Sequence, residues 1–186
     1  MAAVYYCAQS LDGYIARADD SIDWLMGYEG EYAGADELPL GENYERFMAG
    51  IGALVMGSAT YEFVLALDPW PYPEHPVWVL TSRDRPVPDG ADVRIVAGDV
   101  AALHEDIVAS AGKRDVWVVG GGNVASQFAG AGLLDRVEVT VVPVVLGAGK
   151  PLFDDAMSAP PAPPLRLVGT RPFANGMVEL RYDVVR

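Results

Sequence analysis

The stretch Val116-Trp117-Val118-Val119-Gly120-Gly121-Gly122-Asn123-Val124-Ala125 constrains the chain most tightly. A short apolar, β-branched run predicts a buried strand. Three glycines then strip the Cβ atoms from the following turn, so a ligand can approach its backbone. A helix-like run from Asn123 to Ala131 follows. Its free N–H groups and positive dipole end would face whatever sits at the turn. That is anion-binding geometry, and a nucleotide phosphate is its usual guest. The spacing also satisfies G-x-G-x-x-A, a loose dinucleotide fingerprint. A tight strand-to-helix turn without a ligand would read the same way.

The same unit occurs earlier. Ala53-Leu54-Val55-Met56 predicts a buried strand, Gly57-Ser58-Ala59-Thr60 a turn, and Ser58 an N-cap for a helix reaching Leu67. Val77-Trp78-Val79-Leu80 predicts a third strand, ending in Thr81-Ser82-Arg83. Val93 to Val96 is a fourth strand. Asp99 is the expected cap of a helix over 100–110, with Ala102, Leu103, Ile107 and Val108 inward. Ala3 to Gln9 reads as a central strand. Glu42 to Ala49 reads as a helix ended by Gly50 and Gly52. Residues 17–41 read as mostly loop and as one wall of a cleft. From Arg136 the pattern alternates, and the chain closes as a hairpin around Asn175-Gly176, with Val178, Leu180, Tyr182 and Val184 on a buried face.

Strands alternating with helices, then a terminal hairpin, predict a single three-layer α/β domain with a mixed, mostly parallel sheet. Ligands in such sheets bind beyond the carboxyl ends of the parallel strands. The turns at Gly57–Thr60, Thr81–Arg83 and Gly120–Asn123 would gather there. A chain of 186 residues is long enough for such a core.

The net charge of −13 argues against nucleic-acid or anionic-membrane partners, which need clustered Lys and Arg. A single cysteine, Cys7, excludes an internal disulfide, and no Cys or His cluster has metal-ligand spacing. Nothing reads as a signal peptide or membrane span, so a cytoplasmic protein is expected.

Four segments in order resemble the dihydrofolate reductase-like fold, in the branch related to the riboflavin-biosynthesis pyrimidine reductase domain. They are Ser10-Leu11-Asp12-Gly13-Tyr14-Ile15-Ala16, Met56 to Glu62, Gly120-Gly121-Gly122, and Pro143 to Phe153. The resemblance implies an NADPH-dependent reductase, commonly homodimeric, acting on a small molecule of pterin or pyrimidine type. It places cofactor phosphate at Gly57, Ser58, Ala59 and Thr60. It places the adenosine 2′-phosphate at Thr81, Ser82 and Arg83, and the pyrophosphate and nicotinamide side along Gly120, Gly121, Gly122, Asn123 and Val124. The family usually has a basic residue after the Gly57-equivalent glycine, where this chain has Ser58. A Rossmann reading is weaker, because the glycines come late and the acidic residue near the expected offset, Glu138, lies within an alternating strand.

Reduction of C=N or C=O leaves a heteroatom to protonate, a task for a carboxyl with raised pKa. Glu42, at the start of its helix, is one candidate, and a first-turn carboxylate that merely favours the helix dipole looks identical. Asp12 is the other, against a plain Asp-Gly turn. Ser10, Trp24, Tyr44 and Phe47 are the candidate substrate contacts, with Tyr14 as a further stacking ring. A non-catalytic nucleotide- or pterin-binding module of the same fold is the alternative function.

Overall fold

The computed structural model describes residues 1–30, 40–154 and 164–186. The stretches expected to form the distal part of the 17–41 loop and most of the Pro160–Pro164 connector lie outside those residues. The elements in chain order are β1 (Ala3–Ser10), β2 (Tyr14–Ala16), α1 (Asp23–Met26), α2 (Leu40–Ala49), β3 (Ile51–Gly57), α3 (Ser58–Leu65), β4 (Val77–Leu80) and β5 (Val93–Val96). They continue with α4 (Val100–Ala111), β6 (Asp115–Gly120), α5 (Gly122–Gly130), β7 (Arg136–Val142), β8 (Lys150–Pro151), β9 (Leu165–Pro172) and β10 (Val178–Val184).

Eight strands form one sheet in the order β5-β4-β3-β6-β1-β7-β10-β9. The first six are parallel, and β10 and β9 are antiparallel additions. β1 sits between β6 and β7, which explains its apolar character on both faces. Alternation within β3 divides the core in two. Ala53 and Val55 face the layer built by Ile107 of α4 and Phe128 of α5. Leu54 and Met56 face Tyr61 of α3, Phe47 of α2 and Trp117. A third cluster joins Trp24, Val142, Phe173 and Met177 near the hairpin turn.

Local chemistry accounts for most boundaries. Asp99 caps α4 by accepting from the Ala101 N–H at 2.8 Å. The hairpin turns where expected, with Gly176 at φ +83° and the Phe173 N–H bonded to Met177 O at 2.9 Å. Four expectations are corrected. Gly57, not Ser58, is the N-cap of α3, and no side chain caps that helix. Gly52 lies inside β3 at a bulge and does not end α2. Glu179 is the buried residue of the last strand, at 2% exposure, while Val178 is exposed. The alternation in β10 is real, but its polar side faces α2. Ala102 is likewise exposed, because only Ile107 and Ala111 of the α4 stripe, with Val100, reach full burial.

Gly52 illustrates how closely the layers meet. A Cβ there would stand 2.1 Å from the Ala111 carbonyl oxygen. Such a clash with backbone forces a shift of α4 against the sheet. Gly52→Ala is therefore expected to cost about 1–3 kcal/mol, a fall in Tm of roughly 2–12 °C. Gly130→Ala, where a Cβ meets nothing within 4 Å, should leave Tm nearly unchanged. Thermal unfolding of the two variants checks this, and equal effects would contradict it.

Candidate active site

Two helices begin side by side at the carboxyl ends of neighbouring strands. α3 starts after Gly57 and α5 after Gly121, and neither start has a side-chain cap or an acidic residue in its first turn. No side chain takes their first N–H groups, although the Val124 N–H already donates to Gly121 O at 3.1 Å, and both dipoles favour negative charge there. A Cβ on Gly57 would lie 3.4 Å from Val124 Cγ2, and one on Gly120 would lie 3.4 Å from Thr60 Oγ1. The two turns therefore share one surface.

The three glycines differ in why they are needed. At Gly122 a Cβ would sit 2.4 Å from the Pro151 carbonyl oxygen, so this glycine lets the 151–154 segment pack against α5. Gly120 has φ +156° and abuts Thr60. At Gly121 nothing lies within 4 Å. Gly121 alone faces open space, so its missing side chain serves an approach from outside.

The turn after β4 completes this rim. Thr81 Oγ1 accepts from the Arg83 N–H at 3.2 Å, and Ser82 and Arg83 are exposed. Behind it, the Tyr61 hydroxyl donates to Pro86 O at 2.6 Å and Arg85 pairs with Glu62, which ties the loop to α3. Asn123 is engaged: its amide donates to Asp154 Oδ2 at 2.8 Å and its Oδ1 accepts from Gln127 at 2.8 Å. Ser126 Oγ accepts from the Asp154 N–H at 3.0 Å, a second tie between α5 and that segment.

The carboxylates divide by environment. Asp12 Oδ1 accepts the Ser10 hydroxyl at 2.6 Å, and its two oxygens accept the N–H groups of Leu146 at 3.1 Å and Gly147 at 2.7 Å. The Ser10 bond, helped by the two backbone bonds, holds its pKa down to about 2. Asp12 is thus an ionised latch between the β1–β2 turn and the 143–149 loop. It lacks the raised pKa sought for a proton donor. Glu42 is exposed on α2 and lies 3.9 Å from Arg46 one turn on. Glu138 is the carboxyl that burial raises, with Arg136 opposing the shift.

The candidate substrate contacts separate too. Ser10 is fully buried and saturated, since its Oγ also accepts the Tyr14 N–H at 3.0 Å. Trp24 is core, at 8% exposure. Tyr44 and Phe47 do come together on one wall: Phe47 meets Trp117 edge-on at 5.3 Å and Tyr6 at 4.3 Å, and Tyr44 meets Trp117 at 6.1 Å. The Trp117 indole donates to Tyr6 O at 2.9 Å, which locks the wall to β1. The sequence does not mark Tyr6 or Trp117 as a site residue; Trp117 is level with Val4 of β1 and Leu54 of β3, three residues before Gly120. Asn43 and Glu179 were also unmarked. Asn43 Nδ2 donates to buried Glu179 at 2.6 Å and its Oδ1 accepts from Arg171, joining α2 to the hairpin.

Comparison with known proteins agrees with this arrangement. The RibD C-terminal domain family matches residues 3–179. The uncharacterized protein YwjB of Bacillus subtilis (strain 168) is 34% identical over 181 residues, covering 96% of this chain and 95% of that protein. The crystal structure of a Shewanella sp. PV-4 protein provisionally assigned to riboflavin biosynthesis superposes with TM-score 0.80 at 28% identity, covering all of both chains. Dihydrofolate reductase from Enterococcus faecalis, solved with NADP(H), shares the fold at TM-score 0.61 and 16% identity, over 100% of this chain and 97% of that one. With its sheet order, its glycine turns and a family match spanning nearly its whole length, the chain belongs to the RibD C-terminal domain family, on a dihydrofolate reductase-like fold.

Proposed function

We propose that the chain is an NADPH-dependent reductase transferring a hydride to a small heterocyclic, imine or carbonyl compound of pterin or pyrimidine type. The observation that carries this reading is the pair of uncapped helix starts beside the open face of Gly121. In this reading the N–H groups of Ser58, Ala59 and Thr60, and those of Gly122 and Asn123, hold the cofactor's phosphates, with Val124 beside them. The exposed Arg83 guanidinium, with Thr81 and Ser82, takes the 2′-phosphate. The cofactor supplies the hydride when bound. Phe47 and Tyr44, backed by Trp117 and Tyr6, present a flat apolar wall against which a heterocycle stacks. Asp12 is ionised at neutral pH and orients a polar substrate edge rather than protonating it. The proton reaches the product from water on the Glu42 side of α2.

Ser58, where the family usually carries a cation, favours one second reading: a module that binds the nucleotide without turnover. Loss of the reduced-nicotinamide absorbance with pyrimidine or pterin substrates separates the two. Binding without turnover across such a panel would establish the module.

A homodimer is part of the proposal. β9 is an edge strand exposing Leu165, Leu167 and Val168 at 45–52%, an unusual amount of apolar surface for an unpaired edge. A monomer mass at all micromolar concentrations in sedimentation would exclude it. No helix among the described residues is long and apolar enough to cross a membrane, and we place the protein in the cytoplasm.

Gly121→Val is expected to weaken NADPH binding at least tenfold, because a β-branched side chain enters the phosphate approach. Unchanged affinity by titration would sink the cofactor assignment. Arg83→Ala should weaken NADPH about tenfold and NADH little, on the strength of one charge-assisted hydrogen bond; equal losses would remove Arg83 from the 2′-phosphate. Asp12 contributes stability present above its unfolded pKa near ~4 and lost as pH falls toward about 2. Asp12→Asn should therefore lower Tm at pH 7, and the gap from the parent protein should close between pH 4 and 2. A gap independent of pH would show that the latch does not work through the ionised carboxylate.

A further inference from the structure

Four arginines converge on one cavity in a chain of net charge −13. The cavity has a volume of about 300 Å³ and lies under α2. Its walls include Val4, Ile51 and Asp115, at the starts of β1, β3 and β6. Because those strands are parallel, the cavity is at the end of the sheet away from the glycine turns. It is a separate place from the proposed cofactor rim.

Its charges are unevenly satisfied. Arg136 is committed, at 2.6 Å from Asp115 and 3.4 Å from Glu138. The other three guanidinium groups in the lining belong to Arg46, Arg171 and Arg181; among the described residues Glu179 faces Arg171 and Arg181, Glu138 lies across the strand pair from Arg181, and Arg171 also donates to Asn43 Oδ1. Glu179 Oε2 is taken by the Asn43 amide at 2.6 Å. Its Oε1 is 3.8 Å from Arg171 and 3.6 Å from Arg181, both beyond hydrogen-bonding length. Arg181 Nε is buried and has no hydrogen-bond partner among the described residues. Among the described residues Arg46 pairs with Glu42, at 3.9 Å on the solvent side. The position of Arg181 is built: a Cβ on Gly169 of β9 would lie 2.7 Å from its Nη2, so the glycine clears the space in which the guanidinium lies.

Arg171 and Arg181 are partly exposed and keep spare donors, the buried Arg181 Nε among them, and such donors call for a further acceptor. We propose that this cavity is an anion site that takes one carboxylate or phosphate group, with Arg171 and Arg181 as its donors and Arg46 closing the rim. The planar, multi-donor guanidinium suits such oxyanions. The volume equals about ten waters at ~30 Å³ each, more than a bare phosphate fills. The occupant is therefore an anionic group carried on a small organic molecule. Phe47 of the proposed substrate wall also lines the cavity, but the anion site is argued from the arginines and not from the reductase reading.

Thermal unfolding at constant ionic strength, with chloride exchanged for inorganic phosphate or for glycerol 3-phosphate, tests this. At ten times the half-saturating concentration, each anion should raise Tm by roughly 3–6 °C, and glycerol 3-phosphate should half-saturate at the lower concentration. Arg181→Gln and Arg46→Gln should each raise that concentration about tenfold, the effect of one lost charge-assisted bond. Arg46 is exposed and outside the buried network, so its variant carries the test if Arg181→Gln does not fold. Gly121→Val should leave the response intact. No shift with either anion, an equal shift in the arginine variants, or loss of the shift in Gly121→Val would overturn the proposal. Tighter binding of inorganic phosphate would make the free ion the occupant and overturn the organic-carrier part.

Discussion

The parallel pairing of β3 with β6 is the constraint on which the cleft depends. Each strand ends in glycine and turns directly into a helix, so pairing them in parallel sets two helix starts beside one another. Antiparallel pairing would put the two turns at opposite ends of the sheet. The sharing of one surface by Gly57, Thr60, Gly120 and Val124 follows from register, not from any bond between the turns. The helices can remain uncapped because the sheet, packed on both faces, carries their stability. Their free N–H groups are then available for binding.

Much of this was legible in the residues. Apolar runs ending in Gly57 and Gly120 announce buried strands that turn sharply, and Asp99 announces a helix start through a local bond spanning two residues. Such features depend on neighbours in sequence. The far half of the site depends on pairing across the chain. Asn43 and Glu179 are separated by 136 positions, and nothing near either residue hints at the other. In β7 and β10 the valines mark a face that does meet the core, at Val137, Val139 and Val184, and they draw attention away from the polar face. Glu138 and Arg181 become partners only once the two strands are in register. Trp24 misleads in the opposite sense. An aromatic ring in a loop-like stretch reads as a ligand platform, yet it closes a core cluster with Val142, Phe173 and Met177.

The polar layer beneath α2 changes how that helix is held. A helix of this kind is usually seated by an apolar stripe alone. Here Phe47 and Met48 supply the stripe, while Asn43 adds a buried hydrogen bond to Glu179 and accepts from Arg171. Removing one member would leave a buried polar group unpaired, at about 1–3 kcal/mol. The geometry is therefore directional: it fixes the rotation of α2, and with it the tilt of Phe47 over Tyr6.

The latch at Asp12 joins residues 134 and 135 positions apart, and Gly122 packs against Pro151. In order of synthesis, the glycine turns are complete by residue 130, but the segments that brace them emerge later. β1 waits longest, since its second neighbour, β7, begins at Arg136. A nascent chain thus carries both glycine turns, the proposed phosphate-facing surface, on an unfinished sheet. The last segment to emerge, the hairpin, supplies Glu179 and Arg171, which dock α2. Assembly of the two halves of the proposed site is separated in time, and the proposed substrate wall is the half completed last.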